Sequence, residues 1–140
     1  MLQAGEVAPS IAGIEGTPAL LVFFKISCPT CQLTLPYLER MFQQGIPVIG
    51  ISQDDIEMTR EFANALHLTF PMRVDERHDG YPASNAFRIT TVPSMFLVEA
   101  DFAISWASMG FVKREIEEFA AKRGVAPFRP GDRVPELKPG

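Results

Sequence analysis

The chain has 140 residues, 46% of them hydrophobic and 21% charged, which suits one folded domain with its own core and is too apolar for a disordered chain. Its net charge is −4, with Lys and Arg scattered rather than gathered in a stripe, which speaks against nucleic acid as a partner. The longest apolar runs, such as "PALLVFF" at 18–24, fall far short of the roughly 20 residues that a membrane-spanning helix needs, so no span is expected.

At the N-terminus, "MLQAGEVAPS" has no basic stretch followed by an apolar one, so no signal peptide is read there, and bacterial periplasm and cytoplasm both stay open. Residues Ala19 to Phe24 form a continuous apolar run ending at Lys25, the pattern of a strand covered on both faces. From Pro29 onward Cys31, Leu35, Leu38 and Phe42 recur at helical spacing until Gly45, a natural residue just past a helix end. Pro36 falls inside this helix and removes a backbone donor, which predicts a kink. "PVIGIS" at 47–52 reads as a second strand, with Pro at its opening position.

Asp54 and Glu57 have capping-box spacing and predict the start of a second helix, with Ile56, Phe62, Ala63 and Leu66 on one face and an end near His67. A short extended piece follows at 70–74, then the polar "DERHDG" and a brief helical turn over 82–87. Two strand-like runs, Ser94 to Val98 and 102–106, are joined by Glu99, Ala100 and Asp101, a hairpin-length link. Val112, Ile116, Phe119 and Ala120 mark a last helix ending at Gly124, with Lys122 and Arg123 in its final turn. This order predicts one α/β domain over residues 1–125, a central mixed sheet with helices on both faces. Residues 126–140, with four prolines, predict an extended tail that either lies on the body or hangs free.

The two cysteines of the chain, Cys28 and Cys31, are separated only by Pro29 and Thr30. Two are too few for a disulfide scaffold, and a bond closing so short a loop stabilises little. A metal site needs further ligands, yet there is no second C-x-x-C and the only histidines, His67 and His78, fall at a helix end and in a polar loop. Two bystander cysteines could share the spacing by chance. The position after a buried strand and at the start of a helix favours a redox pair instead. Pro29 suits the first helical position, where its missing donor costs nothing. The backbone donors of Thr30 and Cys31 and the helix dipole then favour the Cys28 thiolate, which makes it the expected nucleophile. Cys31, one turn further in, is expected to be more buried and to resolve the mixed disulfide.

"LLVFFKISCPTCQLTLPYLERM" resembles the first strand, redox motif and kinked helix of thioredoxin-like proteins, including Pro36 eight residues after Cys28. "AFRITTVPSMFLVEADFAISWASMGF" is similar to the segment in which that fold carries a cis-proline before a hairpin. With "GEVAPSI" and "PVIGISQDDIEMTREFANALHLTFPMRVD", the likeness covers about residues 5–124 and is nearest to the TlpA-like and AhpC/TSA (redoxin) branch. It implies a thioredoxin-like three-layer sandwich and a thiol-disulfide oxidoreductase, with Cys28 and Cys31 catalytic and no bound cofactor or metal. It further implies a cis Pro93 close to the cysteines and a Val92 backbone that binds extended substrate. Pro29 and Thr30 are counted with them as substrate-binding candidates. The expected partner is a protein or small-molecule disulfide or dithiol, and the expected state a monomer.

The departures also carry information. Ser27 stands where thioredoxins usually have Trp, Val22 where they bury an acid, and Thr34 where the TlpA-like group often has Glu. No obvious carboxylate base remains, so deprotonation of Cys31 is expected to fall to water or another group. Lys25 is a candidate modulator of the Cys28 thiol, against the simpler reading that its stem covers apolar surface. Trp106 and the many Phe residues read as core, and Asp54, Asp55 and Glu57 as helix-start residues. "GEVAP" and "GDRVP" echo each other without making a repeat. A peroxiredoxin-like peroxidase is the first alternative, but its P-x-x-x-T-x-x-C signature would need Pro at Leu21 and Thr at Lys25. A non-catalytic interaction module is the second.

Overall fold

The computed structural model describes residues 1–11, 14 and 17–140. Five strands form a mixed sheet: β1 (Ala19–Phe24), β2 (Val48–Ser52), β3 (Met72–Val74), β4 (Ser94–Val98) and β5 (Ile104–Met109), in the order β3-β2-β1-β4-β5. β1 runs parallel to β2 and antiparallel to β4, so it sits at the centre, with all six residues buried. Alternate residues of β1 serve two cores, as the two-residue period of a strand requires. Leu20, Val22 and Phe24 face α1 (Pro29–Gln43) and α4 (Lys113–Ala121), with α2 (Ile56–Ala65) contributing Phe62 and Ala63 at the margin. Leu21 and Phe23 face the N-terminal segment and the five-residue helix α3 (Pro82–Ala86). This is the expected α/β sandwich, although one of its outer layers is largely coil, closed by the mutually packed rings of Phe23, Phe87 and Phe96.

Close approach explains Gly50 on β2. A Cβ there would lie 3.0 Å from ring carbons of both Phe24 and Phe70. α1 ends as read, with Gln44 as its cap and Gly45 in the left-handed region at φ 103°.

Three expectations need correction. α2 is capped by Asp55, whose carboxylate accepts from the Met58 N–H at 2.8 Å, whereas Asp54 accepts from the Ile26 N–H at 2.8 Å. The second hairpin strand starts two residues later than read and runs on to Met109. Its turn takes Phe102 to φ 68°, with the Phe102 N–H donating to the Glu99 carbonyl, and the register shifts between Leu97 and Val98. A left-handed residue after a turn inserts one position into the hairpin, and here it is not a glycine, so the sequence carries no flag for it. Finally, Ile56 of the α2 face is 43% exposed, and Thr59 is the residue that α2 buries, bonded to Ser52 at 2.8 Å.

Glu39 is a buried carboxylate inside α1. It accepts from the backbone N–H groups of Thr69 (2.7 Å) and Phe70 (3.2 Å), from the Thr69 hydroxyl and from the Gln43 amide. Burial alone would raise its carboxyl, but these donors outweigh it and hold the group below its ordinary value. The carboxylate therefore stabilises the fold above pH about 4.5, and that contribution is lost as pH falls through the depressed value. Glu39→Ala is expected to lower stability at pH 7 by about 1–3 kcal/mol, with the difference shrinking at pH 3. Urea unfolding at the two pH values reads both, and an equal difference at each would refute the electrostatic account.

Residues 126–140 pack on the body. Phe128 lies 4.9 Å from the Tyr37 ring, and Asp132 pairs with Arg40 at 2.6 Å. The segment then forms β7 (Leu137–Lys138), antiparallel to β6 (Phe111–Val112).

Candidate active site

The site is assembled where β1 gives way to α1. Leaving β1, the chain makes a short loop over Lys25, Ile26 and Ser27, pinned from two sides. Asp54, just beyond β2, holds the Ile26 N–H, and the Gln32 amide donates to the Ile26 carbonyl at 2.8 Å. Sequence reasoning gave Asp54 a capping part and Gln32 none. A carboxylate directly after a parallel strand that neighbours β1 was the available signal for the first.

Cys28 is the N-cap of α1, extended at φ −86° and ψ 114°, and its sulfur accepts from the Cys31 N–H at 3.1 Å. Pro29 occupies the first helical position. Cys28 is half-buried and Cys31 has no exposed surface; both are free thiols. Burial first, and then the hydrogen bond to Cys28, push the Cys31 thiol well up from its ordinary value, and the charge of Asp54 acts in the same direction. The two sulfurs thus differ: one is reachable from solvent and the other is held protonated inside the helix.

The Val92–Pro93 peptide is cis and reaches Cys28. The Cys28 thiol lies 3.5 Å from the Val92 carbonyl oxygen, to which it can donate. The turn before it is held by the Ser94 hydroxyl on the Thr91 carbonyl at 2.8 Å, and the Gly110 N–H donates to the Pro93 carbonyl at 2.8 Å. A cavity of about 400 Å³ opens beside Cys28, lined by Lys25, Pro29, Gln53, Thr91, Val92 and Gly140 among others. Lys25 thus flanks both this cavity and a polar one of about 690 Å³ next to it.

Of the sequence-stated candidates, Cys28, Cys31, Pro29, Val92, Pro93 and Lys25 gather at this site. Thr30 does not line the cavity: its side chain is 3% exposed and donates to the Pro139 carbonyl at 2.7 Å. Thr34, where a base was sought, is fully buried and its hydroxyl donates to the Thr30 carbonyl at 2.7 Å. Trp106 packs on the Phe119 ring at 4.6 Å. Among the described residues no cluster of His, Cys, Asp and Glu is arranged to hold a metal, and no helix is long and apolar enough to cross a membrane.

A five-stranded mixed sheet, a C-x-x-C at a helix start and a cis-proline against it define a protein of thioredoxin-like fold. The thioredoxin domain of a thiol-disulfide oxidoreductase from Bacteroides vulgatus superposes with a TM-score of 0.75 at 20% identity, over 88% of this chain and 99% of that one. Residues 3–107 match the AhpC/TSA family, and the chain belongs to that family. Thiol-disulfide oxidoreductase ResA of Halalkalibacterium halodurans is 26% identical over 112 residues, 76% of this chain. Thiol:disulfide interchange protein DsbE of Pseudomonas aeruginosa is 26% identical over 106 residues, 75% of this chain. The chain spans 62% and 58% of the lengths of these two relatives.

Proposed function

We propose that the chain is a thiol-disulfide oxidoreductase that exchanges its Cys28/Cys31 pair with a protein or small-molecule disulfide. The observation that carries this reading is the Cys28 sulfur at a helix N-terminus, 3.1 Å from the Cys31 N–H and facing the Val92 carbonyl. The names of the two curated relatives support it. In the reducing direction the Cys28 thiolate attacks one sulfur of the substrate disulfide. A Cys28–substrate bond forms, and the other substrate sulfur leaves as a thiolate that takes up a proton. Cys31 then gives up its proton and attacks the Cys28 sulfur. The second substrate thiol is released and a Cys28–Cys31 disulfide remains, so two electrons and two protons have passed to the substrate.

In this reading Val92, positioned by the cis Pro93 behind it, forms one wall of the substrate site and Pro29 the other, with Thr30 buried beneath. Lys25 borders the cavity on the side from which an anionic thiolate would attract it. The dithiol supplies the electrons, so no bound cofactor is needed, and a single chain contains every group named. Equilibration in glutathione buffers followed by thiol alkylation tests the proposal. One two-electron transition is expected, with a midpoint roughly between −270 and −120 mV. A pair that never interconverts between dithiol and disulfide would overturn it.

A further inference from the structure

Residues 126–140 do not merely pack on the body; they reach the cavity beside Cys28. Val112 and Phe111 of β6 pair with Leu137 and Lys138 of β7, and the Lys113 N–H donates to the Glu136 carbonyl at 3.0 Å. Past β7 the backbone crosses Gly110, the residue after β5. A Cβ built there would meet the Lys138 carbonyl at 3.1 Å and the Gly140 nitrogen at 3.4 Å, so the bare glycine leaves the room the segment occupies. The Pro139 carbonyl accepts from the buried Thr30 hydroxyl at 2.7 Å, inside the C-P-T-C motif itself. Gly140 then abuts Thr91 and Val92 so closely that a Cβ on it would collide with the Val92 carbonyl oxygen, and it lines the same cavity as Cys28.

We infer that residues Leu137–Gly140 are a specificity-determining segment that occupies the peptide-binding groove beside Cys28. This rests on the exchange reading above. An extended polypeptide approaching the Val92 backbone must lie where Gly140 lies and reach over Thr30, whose hydroxyl is already engaged. A small disulfide needs neither position, because the cavity that Gly140 borders is still open past Lys25 and Gln53 to the sulfur. The site therefore discriminates by size: small disulfides react with the closed form, and polypeptides react only with the fraction of molecules in which the segment has lifted.

The test compares the full chain with one lacking Leu137–Gly140, using insulin and hydroxyethyl disulfide as substrates. A groove open in about one molecule in ten weakens polypeptide binding about tenfold. Deletion is thus expected to raise kcat/KM for insulin by about that factor, while the value for hydroxyethyl disulfide stays within about twofold. Equal changes for both substrates, or none, would overturn the inference.

Alkylation of reduced Cys28 separates this outcome from failure of the exchange reading. Deletion should speed reaction with a polyethylene-glycol maleimide far more than with iodoacetamide, whether or not the chain reduces any disulfide. Gly140→Val, which removes no packed side chain and drives the segment off the Val92 carbonyl, should reproduce both selectivities. If the shortened chain does not melt cooperatively, that variant decides by the same two comparisons, and unchanged ratios in it count against the segment.

Discussion

Cys28→Ser is expected to abolish disulfide exchange, lowering the insulin-reduction rate by about a thousandfold or more, because no other thiol can reach a substrate sulfur. Cys31 has no exposed surface and cannot take over the attack. Cys31→Ser should behave differently: the Cys28 attack proceeds, the mixed disulfide is not resolved, and one equivalent of substrate stays bound to Cys28, visible by mass spectrometry. Substantial turnover by Cys28→Ser would refute the assignment of roles, and so would a Cys31→Ser chain that turns over like the parent.

The state of Cys31 also sets a pH dependence. Burial and the hydrogen bond to Cys28 raise its thiol, so only a small fraction is thiolate near neutrality, and resolution should quicken about tenfold per pH unit through that range. The same shift acts on stability with a definite sign. A thiol that holds its proton more tightly when folded contributes fully below its ordinary value of about 9 and loses that contribution as pH rises above it. Reduced protein should therefore lose up to about 1.4 kcal/mol per pH unit above pH 9 relative to a Cys31→Ala chain. Parallel stability profiles for the two would count against a raised thiol.

Phe23→Ala is expected to cost about 3–5 kcal/mol, the range for a phenyl ring deleted from a packed core. Phe23 has no exposed surface and sits in the central strand, with its ring 5.1 Å from Phe87 and 5.8 Å edge-on to Phe96. Both neighbours are themselves fully buried. Among the described residues the layer they close holds the short α3 and coil. α3 in turn is held by Asp75, which accepts from the Ala83 and Ser84 N–H groups at 2.9 and 2.7 Å. Phe23 projects from the central strand, whose backbone is fixed by a neighbour on each side, so the sheet cannot move to fill the void. Against a total stability of about 5–15 kcal/mol, the loss should bring the urea midpoint down sharply. A loss under about 1 kcal/mol would show that the layer repacks.

The parts of this protein legible in its sequence are those governed by neighbours along the chain. A continuous apolar run dictates a doubly covered strand from Ala19 to Phe24. Pro29 and Gly45 bracket a helix because each suits a terminal backbone geometry by its own covalent structure. Together they put Cys28 at the helix start, so the place of the C-x-x-C was settled by local chemistry. The branch of the thioredoxin-like fold followed from the same segments.

What tertiary structure alone decided are choices between locally equal options. Asp54 and Asp55 are adjacent and both able to cap α2; the Ile26 N–H, 28 residues earlier in the chain, claims the first and leaves the second to the helix. Glu39 looks like any carboxylate on a helix until Thr69 and Phe70 bring it three donors. Phe102 takes a left-handed backbone with no glycine to announce it. The course of residues 126–140 depends on Phe128, Asp132 and a two-residue ladder, each contact spanning a long stretch of chain and none leaving a periodic trace. Local propensity is read over a few residues, whereas the closing of a groove beside Cys28 by Pro139 and Gly140 depends on Thr30 and Val92, both far away along the chain.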